Sequence, residues 1–285
     1  MKKLRTNHPI LFCILCAAVS AVLLYVGSAA YVLLLTSGIV PIEAVKGKGM
    51  WYAMIVADLL IIIFTLLVMR ACGVLYLLKK KTAGIFKCIL IALPIVVFDL
   101  CAFFLQYSLY SSGDDYMVPA LSRTITFLVS NILIGMAEEL LCRGLISTTL
   151  LAYFGTGRKG ILKAALLSSL LFGCMHLTNF TGGDPTGVLM QVIYTFGTGV
   201  LFCAIYFRSG NIWFLVLIHS FEDIYAGLAE LMNYGGSQVE KFTNSINTYN
   251  LMILVPTIPA LLFGLFLLRK SKTAEIKEMW SDLAN

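Results

Sequence analysis

Charged residues are scarce in this sequence. Asp, Glu, Lys and Arg make up 13% of its 285 residues, and hydrophobic residues make up 59%. A soluble domain is closer to half apolar and a quarter charged. The composition therefore excludes an ordinary soluble protein and indicates an integral membrane protein.

Three common catalytic patterns are also missing. The sequence has no Gly-x-Ser-x-Gly, no HExxH and no P-loop pattern. Their absence argues against a serine hydrolase of the nucleophile-elbow type, a zincin and a P-loop nucleotide hydrolase. Any enzymatic chemistry must come from another arrangement of side chains.

Long apolar runs are what the sequence has in abundance. A membrane-spanning helix needs about 20 mostly apolar residues, and eight runs qualify. They lie at roughly 10–36, 50–69, 88–110, 124–150, 162–180, 187–207, 211–233 and 250–268. The strand alternation of a β-barrel is absent. We therefore expect an all-α membrane protein with about eight transmembrane helices in one bundle and an intramembrane active-site cavity.

The distribution of Lys and Arg predicts the orientation. With eight spans, these residues concentrate in the segments on the side of the N-terminus, and only Lys46, Lys48, Arg123 and Lys241 lie on the other side. The positive-inside rule then puts both termini in the cytoplasm. The net charge of +6 is explained by anionic lipid headgroups facing the basic loops, without nucleic acid.

Both ends of the chain and its cysteines allow more than one interpretation. The first run follows basic residues as in a signal peptide, but its length favours an uncleaved helix. The cysteines lie mostly in apolar runs, and the Cys13-x-x-Cys16 pair reads as small buried side chains. Residues 270–285 form a short amphipathic tail that either lies on the inner membrane surface or is solvated.

An acidic pair and an arginine interrupt the fourth apolar run. Each ionised side chain at mid-bilayer costs about 2.5–3.5 kcal/mol. Glu139 and Arg143 are four residues apart and can pair on one helix face, whereas Glu138 is turned away by about 100°. A structural clamp between helices explains Glu139 and Arg143. It leaves Glu138 unpaired, which makes Glu138 a candidate functional residue.

Two of the three histidines lie in other apolar runs. His176 is in the fifth run, and His219 is in the seventh, one turn before Asp223. Alone, each histidine is more typical of a hydrogen-bonded core residue. Asp58 and Asp99 are interpreted as hydrogen-bonding groups within the bundle, with a role in substrate access as the alternative. Together with Glu138, the histidines predict one interior site, in which Asp223 accepts a hydrogen bond from the His219 imidazole and fixes its tautomer.

Glutamate and two histidines suit activation of water against a carbonyl group. A glutamate in an apolar pocket is a suitable general base. Two neutral imidazoles and a carboxylate can bind a divalent metal such as zinc through Glu138, His176 and His219. Without a metal, they can hold the water or stabilise an oxyanion. Both alternatives predict hydrolysis of an amide inside the membrane.

Three motifs in order resemble the CPBP family of intramembrane proteases. They are Glu138-Glu139-x-x-x-Arg143, Phe172-x-x-x-His176 and His219-x-x-x-Asp223. The family includes type II CAAX prenyl endopeptidases and bacterial Abi, or bacteriocin-immunity, proteins. The resemblance covers about residues 124–225.

The resemblance implies a role for each matched residue. Glu138 looks like the glutamate that activates water, and His176 looks like a second catalytic residue that positions that water. His219 looks like an oxyanion contributor or a metal ligand. Glu139, Arg143 and Phe172 look like the structural part of the motifs. Asp223 stands where the prenyl-protease branch usually has Asn, which favours an orienting role over direct oxyanion binding.

The organisation and setting follow as expectations. We expect N-terminal transmembrane helices over 1–123, a catalytic core over 124–233, and a last helix with a cytoplasmic tail over 234–285. The expected partners are the lipid bilayer and a membrane-associated peptide or protein substrate, in a bacterial plasma membrane. The resemblance suggests bacteriocin immunity or peptide-signal maturation. A non-catalytic membrane scaffold and a proton-coupled transporter remain alternatives.

Overall fold

The chain folds almost entirely into helices. The computed structural model describes residues 1–39, 49–80, 82–112, 118–181, 185–232 and 248–284, with only the backbone described at 49, 181, 248–254 and 284. It is 89% helical, and the described ranges contain no strand. The expected all-α class is confirmed. Lys46, Lys48 and Lys241, which enter the orientation argument, lie outside the described residues.

The described residues of the first half form four α-helices. They are α1 at Lys2–Asn7, α2 at Pro9–Thr36, α3 at Gly49–Ala71 and α4 at Ile85–Ser111. A 3-10 turn at Leu75–Lys79 joins α3 to α4. Helices α2 and α3 touch at Gly27, where a Cβ atom would lie 2.4 Å from the Cα of Ala57. Only glycine permits this contact, which packs the N-terminal helices tightly together.

The second half carries the matched motifs. Helix α5 spans Leu121–Glu139 and continues as a π-helical segment, Leu140–Ser147, and then as α6, Thr148–Phe154. Helix α7 spans Arg158–Met175 and ends in a 3-10 turn, His176–Thr181. The remaining α-helices in the described residues are α8 at Pro185–Ser209, α9 at Ile212–Ala226, α10 at Leu228–Leu231, α11 at Thr248–Leu267 and α12 at Thr273–Met279.

Six helical stretches in the described residues are long and apolar enough to cross a membrane. They are Pro9–Thr36, Met50–Ala71, Ile85–Ser111, Leu121–Phe154, Arg158–Phe180 and Pro185–Ser209. The expected number of eight is not confirmed. The seventh run forms α9, which has 15 residues and is therefore only about 22 Å long. In the eighth run, the described apolar stretch is limited to Val255–Leu267.

Helix α8 lies at the centre of the packing. It contacts α7 on one side and α11 on another, while α5 lies between α3 and α9. The main core includes the buried face of α8 and the apolar residues of the π-helical segment. A smaller cluster around Trp51, Phe127 and Tyr225 packs α3, α5 and α9 together at one end. These contacts place α5, α7 and α9 around a common interior.

Residues 270–284, which we call the C-terminal strap, pack onto the protein. Trp280 is fully buried, and its Nε1 donates a hydrogen bond to the Phe207 carbonyl at 2.8 Å. Asp282 pairs with Lys80, and Glu275 lies 3.3 Å from Arg208. Neither of the two predictions for this tail, a helix on the membrane surface or a solvated segment, includes these contacts with the rest of the protein. The buried indole explains why the strap docks on the end of α8.

Candidate active site

A close approach of α5 and α9 brings the motif residues together. Gly135 lies one turn before Glu139 and packs against Ser220 on α9. A Cβ atom at Gly135 would lie 2.5 Å from the Ser220 Oγ and 2.9 Å from its backbone nitrogen, both too close for any side chain. Glycine therefore allows α9 to approach α5, which brings His219 beside the two glutamates.

Glu139 is the buried anchor of the site. Its Oε1 accepts hydrogen bonds from Arg143 Nη1 and from His219 Nδ1, each at 2.7 Å. Glu139 is fully buried and Arg143 is 2% exposed. The pairing of Glu139 with Arg143 agrees with their four-residue spacing. Because a carboxylate can only accept, the His219 Nδ1 carries a proton, and the Nε2 faces the rest of the site.

Glu138 and Asp223 lie on the open side of the His219 ring. The His219 Nε2 is 3.5 Å from Glu138 Oε2 and 3.9 Å from Asp223 Oδ2. The side chains of Glu138 and Asp223 are 26% and 28% exposed, in contrast to that of Glu139. Asp223 is therefore too distant to accept the hydrogen bond that the sequence predicted. Glu139 orients the imidazole instead.

Two phenylalanine rings form a dry wall around Arg143 and His219. The Arg143 guanidinium lies over Phe172 at 4.4 Å and over Phe202 at 5.4 Å from the ring centroids. Both rings meet the His219 imidazole edge-on, with centroid distances of 6.1 and 5.5 Å. The negative face of each ring attracts the Arg143 guanidinium, and the apolar rings keep water from the ion pair of Glu139 and Arg143.

His176 lies at the end of α7, where the helix tightens into the 3-10 turn. Its Nδ1 is 3.1 Å from the Phe172 carbonyl oxygen, so this nitrogen donates and the Nε2 is left to accept. The ring packs edge-on against Phe172 at 5.1 Å. Within the described part of the chain, the shared Phe172 ring, and not a polar contact, joins His176 to His219.

Contacts from two other helices hold the turn that carries His176. The Tyr25 hydroxyl on α2 donates to the Thr178 carbonyl at 2.8 Å. Asn179 Nδ2 donates to Gln191 Oε1 on α8, also at 2.8 Å. Tyr25 lies in the N-terminal helices, which contain none of the three motifs. The position of His176 therefore depends on more of the chain than the three motifs.

The π-helical segment gives Arg143 its place. All eight residues of this segment are buried. Widening of the helix breaks the regular backbone pattern, and hydroxyl groups contact the carbonyl oxygens of the segment. The Ser147 Oγ donates a hydrogen bond to the Arg143 carbonyl oxygen at 2.8 Å, and the Thr148 Oγ1 donates one to the Gly144 carbonyl oxygen at 2.7 Å. Such segments occur frequently at functional sites.

The side chains do not fit the zinc alternative. Within the described residues, no group of three or more His, Cys, Asp or Glu side chains is arranged to hold a metal ion. The His219 Nδ1 is engaged by Glu139. The Phe172 ring packs against both motif histidines, His176 and His219. Glu138, His176 and His219 therefore do not converge as a three-ligand zinc site requires.

Three further acidic residues lie on α3, α4 and α9. Asp58 on α3 is 5% exposed, and Asp99 on α4 is 2% exposed. The Tyr225 hydroxyl donates to Asp99 at 3.5 Å, in agreement with the expected hydrogen-bonding role. Glu222 lies beside Asp223 in α9 and is not among the residues predicted for the site from the sequence. The signal that could have found Glu222 was its position within the third motif, directly before Asp223.

Comparison with known families supports the motif assignment. Residues 120–225 match the family model described as type II CAAX prenyl endopeptidase Rce1-like. This match is to the CPBP/CAAX protease family and covers less than half of the chain. The resemblance inferred from the three motifs is thereby confirmed. No curated protein and no solved structure matches the chain.

The CAAX-protease match includes every motif residue from Glu138 to Asp223 and leaves helices α1–α4 outside. At the level of the family, the match implies a protease. Together with the apolar helices it indicates an integral multi-pass membrane protein that acts on membrane-associated substrates.

Proposed function

We propose that this protein is an intramembrane endopeptidase that hydrolyses a peptide bond in a membrane-associated peptide or protein, with Glu138 as the base. The contrast between the two adjacent glutamates carries the proposal. Arg143 and His219 engage Glu139, whereas Glu138 is partly exposed beside the His219 Nε2. A partly exposed carboxylate with no arginine partner is the group that can take a proton from water.

The reaction begins with a water molecule near Glu138 and His176. Glu138 removes a proton from the water, and the oxygen forms a bond with the carbonyl carbon of the substrate. The His176 Nε2, which is free to accept, holds the second hydrogen of the water. The hydrogen bond of His176 Nδ1 to the Phe172 carbonyl supports this role of His176.

The tetrahedral intermediate then carries a negative oxygen. In its protonated state, His219 donates from Nδ1 to Glu139 and from Nε2 to this oxygen. Collapse of the intermediate breaks the bond between carbon and nitrogen. Glu138 returns its proton to the leaving amine, so one water is consumed and the base is regenerated. Glu139 and Arg143 hold the imidazole in place throughout.

Replacement of Glu138 by glutamine tests the proposal. Glu138→Gln keeps the size of the side chain and removes the base, so we expect a loss of about 100-fold or more in turnover. N-terminal peptides from membranes that contain each variant are compared by mass spectrometry. The matched control is Glu278→Gln, the same chemical change at an exposed residue of α12.

The proposal fails if the cleavage products of the unmodified protein persist in Glu138→Gln at equal protein level. The products that vanish identify the substrate. They also test the narrower predictions of bacteriocin immunity and peptide-signal maturation, and of a bacterial plasma membrane as the setting.

A further inference from the structure

Two carboxylates lie beside His219, and their charges act on a third carboxylate from a neighbouring helix. Glu138 comes from α5 and Asp223 from α9, and both lie within 4 Å of the His219 Nε2. Asp58 comes from α3, which packs against α5 and against the π-helical segment. The reaction described above uses Glu138 as its base. It gives no task to Asp58 or Asp223.

The register of α3 against α5 points Asp58 toward the site. Trp51 packs edge-on against Phe127 of α5 at 5.4 Å. Asp58 follows Trp51 by seven residues, which is two helical turns with a rotation of only about 20°. Further along α3, Met69 lies 3.7 Å from the Cβ position of Gly144. Asp58 therefore lies on the α5 face of α3, and the charges that act on it are those of Glu138 and Asp223.

One oxygen of Asp58 and one of Asp223 lack a hydrogen-bond donor among the described residues. Oδ2 of Asp58 and Oδ2 of Asp223 are buried, and neither accepts a hydrogen bond from any residue that the structure describes. Asp58 is also 95% buried, since its exposure is 5%. The arginine of the first motif, Arg143, is committed to Glu139. An unpartnered carboxylate in an apolar interior is costly, so a complementary positive group would be bound strongly.

We propose that Asp58 and Asp223 form a subsite for a cationic side chain of the substrate, beside the catalytic Glu138. The inference rests on the proposed function. A lysine or arginine close to the scissile bond would place its positive group between the two aspartates. Its apolar stem would lie along the bundle interior, as such stems do at membrane interfaces. The protease would then prefer substrates with a basic residue near the cleaved bond.

A basic side chain suits this group better than a metal ion does. The described residues contain no set of three ligands at metal-binding geometry. An ammonium carries three donors and a guanidinium five, so either can donate to two carboxylates at once. Because α3 lies outside residues 120–225, this preference would come from a part of the chain that the family model does not cover.

The test compares two classes of cleavage site within each sample. N-terminal peptides define the sites that depend on Glu138, and these are sorted by whether Lys or Arg lies within about three residues of the cut. We expect Asp58→Asn to lower cleavage of the basic sites by roughly tenfold relative to the others. Because the ratio is internal to a sample, the amount of folded protein cancels.

Two variants control for a change of fold. Asp99→Asn replaces another buried aspartate of the N-terminal helices, and we expect the ratio to stay as in the unmodified protein. Asp58→Glu keeps the charge and should restore the ratio. In one identified substrate, Lys→Gln should lower kcat/KM roughly tenfold in the unmodified protein and leave it almost unchanged in Asp58→Asn.

The outcomes separate the two proposals. If Glu138→Gln removes no cleavage, the proposed protease function fails and the subsite fails with it. If Glu138→Gln removes cleavage while Asp58→Asn leaves the ratio unchanged, the subsite alone is overturned. An absence of basic residues near the Glu138-dependent cuts overturns it equally.

Discussion

Adjacent glutamates have opposite surroundings at the residue scale. Glu139 is enclosed by Arg143, His219 and two phenylalanine rings, whereas Glu138 points to the open side of the imidazole. Successive residues of a helix are rotated by about 100° about its axis, and this rotation separates the two side chains. One carboxylate builds the site and the other remains available for chemistry, so substitutions at the two positions should have different effects.

Replacement of Glu139 should unfold the site, unlike replacement of Glu138. Glu139→Gln removes a buried charge and leaves Arg143 without its partner, which we expect to cost about 3–5 kcal/mol of unfolding free energy. Glu138→Gln should change it by less than about 0.5 kcal/mol, because Glu138 is partly exposed. Thermal unfolding in detergent micelles measures both. Equal destabilisation by the two variants would contradict the structural role assigned to Glu139.

Sequence reasoning reached some of these residue contacts and missed others. The Glu139–Arg143 pair follows from a spacing of four on one helix. The partner of His219 did not follow, because Glu139 is 80 residues away and only the packing of α9 on α5 brings the two together. Asp223, one turn from His219, was the local choice and is 3.9 Å away.

At the scale of elements, short and irregular pieces hold the site. Helix α9 has 15 residues, the π-helical segment has eight, and His176 begins a 3-10 turn. Apolar runs predicted where helices occur, but not where they stop. The run at 211–233 contains Gly227, where α9 gives way to the separate α10. Run length alone could not reveal this break, nor the π-helical widening after Glu139.

The close approach of α5 and α9 should be sensitive to a single methyl group. Gly135→Ala would place Cβ 2.5 Å from the Ser220 Oγ and 2.9 Å from the Ser220 backbone, so the helices must separate. We expect a cost of about 1–3 kcal/mol in stability and a drop in turnover of at least roughly tenfold. Unfolding and cleavage of an identified substrate are the measurements.

Gly144→Ala provides the matched control for that contact. Its Cβ would meet the Met69 side chain at 3.7 Å, which is ordinary contact distance. We expect this variant to keep its activity. If Gly144→Ala and Gly135→Ala behave alike, the approach of α9 to α5 is not what positions His219.

At the scale of the whole molecule, the C-terminal strap ties distant parts of one end together. Glu275 lies 3.3 Å from each of Lys87, Arg208 and Lys272. Burial by itself raises the pKa of Glu275, but the Arg208 charge and the hydrogen bonds from Lys87 and Lys272 outweigh burial and hold that pKa below its usual value. The amphipathic pattern of the tail predicted a helix there. It did not predict a protein surface as the partner.

Acidification should loosen the strap. A carboxylate with a lowered pKa in the folded state stabilises that state above its unfolded pKa of about 4.3, and the contribution is lost as the pH falls through the folded value. We therefore expect residues 273–279 to lose protection against hydrogen exchange, relative to the intrinsic rate at the same pH, below about pH 4.3. Glu275→Gln should be loosened already at neutral pH and lack this step, while Glu278→Gln should keep it. An identical step in Glu275→Gln would refute the assignment.

The helices most exposed to lipid are also the ones that reach into the site. The first three spans are buried less than the other three. Yet Tyr25 of α2 holds the turn of His176, and Asp58 of α3 lies on the face toward Glu138. A helix tilts when the bilayer around it becomes thinner. Bilayer thickness is therefore a physical variable that acts on this site directly, because tilting α2 or α3 moves Tyr25 or Asp58 relative to the core.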